Sequence, residues 1–151
     1  MLGALMNESI KGASLGKKTF PVERGKIREF ATAIFDDNPV YLDEEKPLAP
    51  PTFTMTNQFW PSTFEEPVPD LGINYARVVH GEQDFEYLEP IHAGDELIGV
   101  TTVSDAYTKE GKRGGTLTFI VMETRFTNQH GKEAVLARTT IIETSQAATS
   151  G

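Results

Sequence analysis

The sequence from Phe30 to Phe59 reads FATAIFDDNPVYLDEEKPLAPPTFTMTNQF, and it joins two helix patterns through a polar turn. That turn is Asp36-Asp37-Asn38-Pro39-Val40-Tyr41. It is the densest group of polar residues in the sequence that local geometry holds in place. The residue before a proline avoids the helical region, so Asn38-Pro39 is expected to end the first helix. Pro50 and Pro51 are expected to open the second, because a first helical turn tolerates proline. If the protein does chemistry, this stretch is where we look first.

The first helix is predicted over about residues 23–35, because four apolar residues recur there on one helical face. These residues are Ile27, Phe30, Ala31 and Ile34. The second helix is predicted over residues 52–60, with Pro61 closing it. Residues 61–73 are rich in proline, glycine and acidic residues, which is typical of a loop.

Alternating β-branched and aromatic residues predict strands in the rest of the chain. The predicted strands cover 17–22, 76–88, 96–107, 116–127 and 133–144. Helices followed by long antiparallel strands indicate an α+β domain, with a strongly curved sheet that could wrap the second helix. The open edge of such a sheet favours a dimer. We divide the chain into a loosely ordered arm over 1–16, one domain over 17–144 and a flexible tail over 145–151.

Composition excludes several classes of function. The formal charge of −8 disfavours nucleic acid as a partner, because acidic surfaces repel phosphates. The absence of cysteine excludes disulfides and thiolate ligands and suits the cytoplasm. No apolar run is long enough to span a membrane. No pair of histidines has metal-ligand spacing, so we expect no metal and no bound cofactor.

An anionic ligand such as a coenzyme A thioester would need a local basic patch. Apart from Lys17 and Lys18, the one dense cluster that could supply it is Lys109, Lys112 and Arg113. The alternative is that these three residues form a solvated hairpin.

The ordered motifs resemble the MaoC-like dehydratases, specifically the N-terminal MaoC dehydratase type, over about residues 17–144. The motifs are Asp36-Asp37-Asn38-Pro39-Val40, Ala49-Pro50-Pro51-Thr52-Phe53 and His80-Gly81-Glu82-Gln83-Asp84-Phe85, followed by Pro90, Gly94 and Asp95. The resemblance implies a hot dog fold, in which a curved antiparallel sheet wraps a central α-helix. It also implies activity on acyl thioesters carried by coenzyme A or acyl carrier protein.

Catalytic members of this family carry aspartate, asparagine, proline, an aliphatic residue and then histidine in the turn. Here Asp36, Asn38, Pro39 and Val40 match, and Tyr41 occupies the histidine position. The family aspartate and histidine activate water or protonate the leaving hydroxyl. The family also uses a backbone N–H at the start of the central helix to polarise the thioester carbonyl. The resemblance therefore places substrate binding at Pro51, Thr52 and Phe53.

The candidate residues also have structural interpretations. Asp36 could act as a base if burial raises its pKa, but Asp36 and Asn38 could equally cap the turn. Tyr41 can donate a hydrogen bond, but a tyrosine pKa of about 10 makes it a poor base at neutral pH. His80 is the other catalytic candidate, or a structural histidine. Phe53 could contact substrate or belong to the core.

Three functions remain open. The first is an (R)-specific 2-enoyl-thioester hydratase, or 3-hydroxyacyl-thioester dehydratase. The second is a catalytically degenerate hot dog subunit that binds the acyl chain and pairs with a catalytic one, so that the assembly is a homodimer or a heterodimer. The third is an acyl-CoA thioesterase, because one fold can host several reactions.

Overall fold

In the part of the chain that the structure describes, five antiparallel strands form one sheet in the order β1–β3–β4–β5–β2. The structure is a computed structural model that describes residues 10–64, 67–112 and 114–145. The strands are β1 (Ser14–Pro21), β2 (Val78–Tyr87), β3 (Glu96–Glu110), β4 (Thr116–Thr127) and β5 (Glu133–Glu143). This arrangement confirms the α+β prediction. The sheet has two edge strands, β1 and β2.

Within residues 10–64, 67–112 and 114–145, the sheet is accompanied by two named α-helices and two 3₁₀ helices. They are α1 (Arg24–Ala33), α2 (Pro39–Leu42), a central 3₁₀ helix (Phe53–Phe59) and a short 3₁₀ helix (Tyr75–Arg77). Among the described helices, none combines the length and apolar character needed to cross a bilayer.

The first helix ends earlier than its sequence suggests. Phe35 adopts a left-handed conformation with φ of 58°. The Asp36 N–H donates to the Ala31 carbonyl over 2.9 Å, and the Phe35 N–H donates to the Thr32 carbonyl over 3.1 Å. This pair of bonds is the Schellman arrangement that terminates helices. Pro39 does not end α1; it begins the one-turn helix α2.

The central helix is a 3₁₀ helix of seven residues, where an α-helix was expected. Its bonds span three residues: the Phe53 N–H donates to the Pro50 carbonyl over 2.9 Å, and the Met55 N–H to the Thr52 carbonyl over 3.1 Å. The Asn57 side-chain amide donates a hydrogen bond to the Thr54 carbonyl over 2.6 Å, so this carbonyl already has a donor from a side chain. Three β-branched threonines in one short segment also lower its α-helical preference.

The apolar core consists of two separate clusters on the concave face of the sheet. The first surrounds the central helix and contains Phe20, Phe53, Leu97, Phe126 and Val135, among others. The second contains Ile10, Val103, Ala106 and Ile120, with Leu71 and Ile73 packed against it. The short central helix covers one part of the concave face, while the N-terminal segment and the 67–73 loop cover the other.

Several strand boundaries differ from the predictions. β1 begins at Ser14 instead of Lys17, Ala76 lies in a 3₁₀ turn before β2, and β3 continues to Glu110. The predicted arm and tail fall largely outside the described residues, at 1–9 and 146–151. Ile10, the first described residue of the arm, is buried.

Candidate functional site

The Asp36–Asn38 turn is held by hydrogen bonds within itself. The Asp36 carboxylate accepts the Asn38 N–H over 3.1 Å. The Asn38 side-chain oxygen accepts the Val40 N–H over 3.1 Å and caps α2. Asp36 is half-buried and Asn38 is exposed. Both side chains perform the capping role that was one of their two interpretations, and the capped turn sets the position of Tyr41.

Tyr41 lines a cavity of about 360 Å³ beside the start of the central helix. The cavity wall is mostly apolar and combines the segment before the central helix with the end of β2. Its described lining is Tyr41, Leu48, Ala49, Pro51, Tyr87, Leu88, Glu89, Pro90 and Ile91. Clefts with apolar walls and few polar groups are typical sites for small ligands and acyl chains. Of the predicted site residues, the structure brings Tyr41 and Pro51 together here.

Tyr87 joins β2 to the start of the central helix. Its hydroxyl donates to the Pro51 carbonyl over 2.6 Å. Burial raises the pKa of the Tyr87 hydroxyl to about 12, with a smaller contribution from Tyr41 and an opposing one from the Thr54 side chain. A hydroxyl with so high a pKa stays protonated at neutral pH and acts as a donor.

Thr52 supplies an available backbone donor at the start of the central helix. It is exposed, and its N–H has no hydrogen-bond acceptor within the described ranges 10–64, 67–112 and 114–145. The preceding Pro50 and Pro51 have no N–H, and the Phe53 N–H is bound to the Pro50 carbonyl over 2.9 Å. The Thr52 N–H is therefore the backbone group at this helix start that can donate to a ligand carbonyl.

Phe53 and His80 lie away from the cavity lining. Phe53 is buried in the first cluster, and its ring meets that of Phe30 edge to face with centroids 5.7 Å apart. His80 is exposed on β2, where it pairs with Ile141, while Tyr87 pairs with Val135 at the other end of the strand. At about 3.3 Å per residue, the strand separates His80 from Tyr87 by roughly 20 Å. The structure does not bring His80 to Tyr41 within one chain.

Two residues that line the cavity with polar side chains, Tyr87 and Glu89, were not among the sites predicted from the sequence. Glu89 lines the cavity and lies 3.7 Å from the Lys132 ammonium group, a weak pairing because both side chains are well exposed. Glu89 precedes a proline at the end of a predicted strand. This pattern predicted a turn in the chain, but it did not indicate that Glu89 would line a cavity.

The basic hairpin lies at the far end of the sheet from the cavity. Lys109 is near the end of β3, whereas Ile91 lines the cavity before that strand begins. Lys109 instead packs over the stacked rings of Tyr107 and Phe119, at 5.1 and 5.2 Å from their centroids. Arg113 of the same predicted cluster lies outside the described residues. Lys109 is not among the residues that line the cavity at Tyr41.

No group of three or more histidine or carboxylate side chains able to hold a metal ion occurs in the part of the chain that the structure describes.

Comparison with known protein families gives a match over most of the chain. The model of the FAS1-like dehydratase domain region matches residues 9–137. A UPF0336 protein from Clavibacter michiganensis subsp. michiganensis is 36% identical over 146 residues, which cover 91% of this chain and 95% of that protein.

Solved structures with a similar fold include two complexes from Mycobacterium tuberculosis. A chain of the C-terminally truncated HadBC complex, a 3R-hydroxyacyl-ACP dehydratase, matches with a TM-score of 0.68 and 24% identity, over 88% of this chain and 96% of that chain. A chain of the ChsH1–ChsH2 complex matches with a TM-score of 0.69 and 18% identity, over 90% of this chain and 86% of that chain. These similarities establish the hot dog fold.

Proposed function

Because this chain belongs to the FAS1-like dehydratase-region family of MaoC-like hot dog proteins, we propose that it is the acyl-thioester-binding subunit of a 3-hydroxyacyl-thioester dehydratase. A second hot dog subunit supplies the proton-transferring pair. The observation that carries the proposal is Tyr41, which lines the apolar cavity from the position where catalytic relatives have histidine.

Reversible dehydration of a 3-hydroxyacyl thioester needs a base at Cα, an acid for the leaving hydroxyl and a donor for the enolate oxygen. Of the described residues lining the cavity, only Tyr41, Tyr87 and Glu89 carry ionisable side chains, and none of the described lining residues is an aspartate or a histidine. Tyr87, with a pKa of about 12, holds its proton at neutral pH. The cavity therefore lacks an aspartate–histidine pair of its own.

The cavity and the adjacent helix start offer more groups for binding an acyl thioester than for transferring protons. The apolar walls formed by Leu48, Leu88 and Ile91 suit an acyl chain, whose burial contributes about 0.8 kcal/mol per CH₂ group. The Thr52 N–H can donate a hydrogen bond to the thioester carbonyl. These features support a subunit that positions a thioester carried on coenzyme A or acyl carrier protein.

The edge strand β2 supports assembly with a second hot dog subunit. It has ten residues and pairs with β5 on one side, with no strand on its other side among the described residues. Val79 and Leu88, at the two ends of this edge segment, are exposed apolar residues. A partner strand added along β2 would run beside Tyr87 and so would border the cavity.

The test is an enoyl-thioester hydration assay on three preparations. We expect the isolated chain to bind crotonyl and longer 2-enoyl thioesters without hydrating them. Co-expression with a hot dog protein that bears an intact aspartate–histidine turn should yield a complex that hydrates them. Strong hydration by the isolated chain, abolished by Asp36→Asn, would establish instead an autonomous hydratase in which Asp36 is the base.

A matched pair of variants separates chemistry from binding. Tyr41→His restores the residue of the catalytic relatives, and we expect it to confer measurable hydration on the isolated chain. Tyr41→Phe keeps the ring and removes the hydroxyl, so binding should persist and hydration should stay absent. If the Tyr41→His variant binds substrate normally and remains inactive, the turn lacks a further group needed for catalysis besides the histidine.

Glu89 favours a second candidate function, hydrolysis of acyl thioesters. A carboxylate in a cavity wall can activate water against a thioester carbonyl, which the thioesterase alternative requires. Release of free thiol from saturated acyl thioesters, lost in Glu89→Gln, would support it. Absence of thiol release at high enzyme concentration would remove this candidate.

A further inference from the structure

The open edge of the sheet at β2 has backbone groups that a further strand could pair with. β2 pairs with β5 on one side, and none of the described backbone groups bonds to its outer side. The other edge strand, β1, is closed at Lys17, whose N–H and carbonyl bond to Thr63 over 2.9 and 2.7 Å. A second chain would therefore add a strand at β2.

Three acidic side chains follow this open edge, and we refer to them as the acidic row. Glu82, Asp84 and Glu86 alternate along β2, and all three are exposed. Phe85 between them packs against the first apolar cluster. Because side chains alternate between the two faces of a strand, the acidic row lies on the outer face of the sheet.

The acidic row is only partly neutralised by neighbouring side chains. Arg138 on β5 lies 2.9 Å from the Asp84 carboxylate and 3.6 Å from that of Glu86. Its guanidinium also pairs with Glu123 over 3.3 Å, so several carboxylates share one arginine. Glu82 forms no ion pair among the described residues. The edge therefore presents excess negative charge to an approaching strand.

A second copy of this chain would set the acidic row against itself. In a continuous antiparallel sheet, directly opposite side chains lie on the same face, so the outer faces of the two strands meet. Centred on Asp84, this pairing places each carboxylate of the row opposite a carboxylate of the other copy. The next register with matching faces still opposes carboxylates. Like charges directly opposite destabilise the pairing, and the formal charge of −8 adds repulsion between whole copies.

We propose that the acidic row selects the partner of β2. It accepts the edge strand of a different subunit that carries lysine or arginine at alternate positions of its outer face, and it rejects a second copy of this chain. Opposite charges directly across two strands stabilise their pairing, so such a strand would neutralise the carboxylates that share Arg138. The inference rests on the proposed function, because it takes the second subunit to add along β2.

The test uses a full-length copy of the chain as the oppositely charged partner. One variant combines Glu82→Lys, Asp84→Lys and Glu86→Lys, and it is labelled with a fluorophore and mixed with wild type. Sedimentation equilibrium measures the dissociation constants of the mixed pair and of each chain alone. We expect the mixed pair to be about tenfold or more tighter than either self-association. Raising NaCl from about 50 to about 500 mM should weaken the mixed pair and strengthen self-association of the wild type.

A matched control separates the edge from net charge. Asp43→Lys, Glu44→Lys and Glu45→Lys change the net charge by the same amount in the exposed segment after α2. This variant should associate with wild type about tenfold more weakly than the β2 variant does. Equal association of the two variants would overturn the inference, and so would wild-type self-association as tight as the mixed pair.

Two further measurements keep the outcome decisive. If the lysine variant does not fold, Glu82→Gln, Asp84→Asn and Glu86→Gln together remove the like charges with little change in shape. Self-association should then tighten about tenfold over wild type, and unchanged self-association would contradict the inference. A mixed pair that fails to form would overturn the inference alone if wild type still forms an active complex with a hot dog protein bearing the intact turn. Failure of both associations would overturn the proposed function as well.

Discussion

Phe35 has a backbone conformation that is unfavourable for a residue other than glycine. It is 96% exposed and is the one non-glycine residue with positive φ in the described chain, at 58°. The position following a helix that ends this way favours glycine, because a side chain in the left-handed region costs about 1–2 kcal/mol. The conformation persists because it allows the bonds that stop α1 and direct the chain into the Asp36 turn.

We predict that Phe35→Gly raises the free energy of unfolding by about 1 kcal/mol, since it relieves the left-handed strain at a site without packing. Urea denaturation measures this change. Ile34→Gly is the matched control: Ile34 has a φ of −94°, so glycine there should lower stability by about 0.5–1 kcal/mol. A Phe35→Gly protein less stable than wild type would mean that the ring makes a stabilising contact.

Tyr87 predicts a specific dependence of stability on alkaline pH. Its pKa is about 12 in the folded chain. The unfolded chain releases the same proton near pH 10, so the stabilisation is fully present below about pH 10 and is lost as pH rises towards about 12. The Tyr87→Phe variant lacks this hydroxyl. Between about pH 10 and 12, the urea concentration at its unfolding midpoint should therefore fall less steeply than that of the wild type. Parallel slopes for wild type and variant would contradict the raised pKa.

At the scale of elements, the strand β2 has two roles in the fold. Its inner side completes the sheet, and its outer edge is exposed along ten residues. Charged side chains on an edge strand oppose pairing with another chain. β2 carries Glu82, Asp84 and Glu86, so its uncharged start at Val78 and Val79 is the part of the edge most open to pairing.

Val79→Lys should weaken association with a second hot dog subunit by about tenfold or more, since a lysine on the edge opposes strand addition. Light scattering of the isolated chain and of the co-expressed complex measures the change. Val100→Lys is the control, because Val100 is exposed to 40% against 39% for Val79 but lies on the inner strand β3. Equal loss of association in both variants would indicate a partner on the sheet face.

At the scale of the molecule, the second apolar cluster depends on the N-terminal segment. Ile10 is 7% exposed and packs with Val103 and Ile120. We predict that Ile10→Ala lowers the free energy of unfolding by about 2–3 kcal/mol, from lost burial and the cavity left behind. Val68→Ala, at an exposed loop position, should change it by less than about 0.5 kcal/mol. No effect of Ile10→Ala would fit the loosely ordered arm expected from the sequence.

The sequence predicted the α+β class because strand alternation and helix spacing are local signals. It did not reveal the 3₁₀ form of the central helix, in which the Asn57 side-chain amide donates a hydrogen bond to the Thr54 carbonyl. Nor did it reveal the left-handed Phe35, since the residue type disfavours that conformation. The cavity residues Tyr87 and Glu89 escaped prediction because only tertiary packing brings the end of β2 to Pro51.

The strand order also constrains when the protein can fold during synthesis. β1 is made first, yet its partner is β3, and Phe20 cannot pair until Leu97 has been translated. β3, β4 and β5 follow as consecutive neighbours joined by short turns, so they can associate quickly once made. Until then the nascent chain carries an unpaired N-terminal strand, a state exposed to misassociation on the ribosome. Synthesis rate through the β3 codons is therefore expected to influence the yield of folded protein.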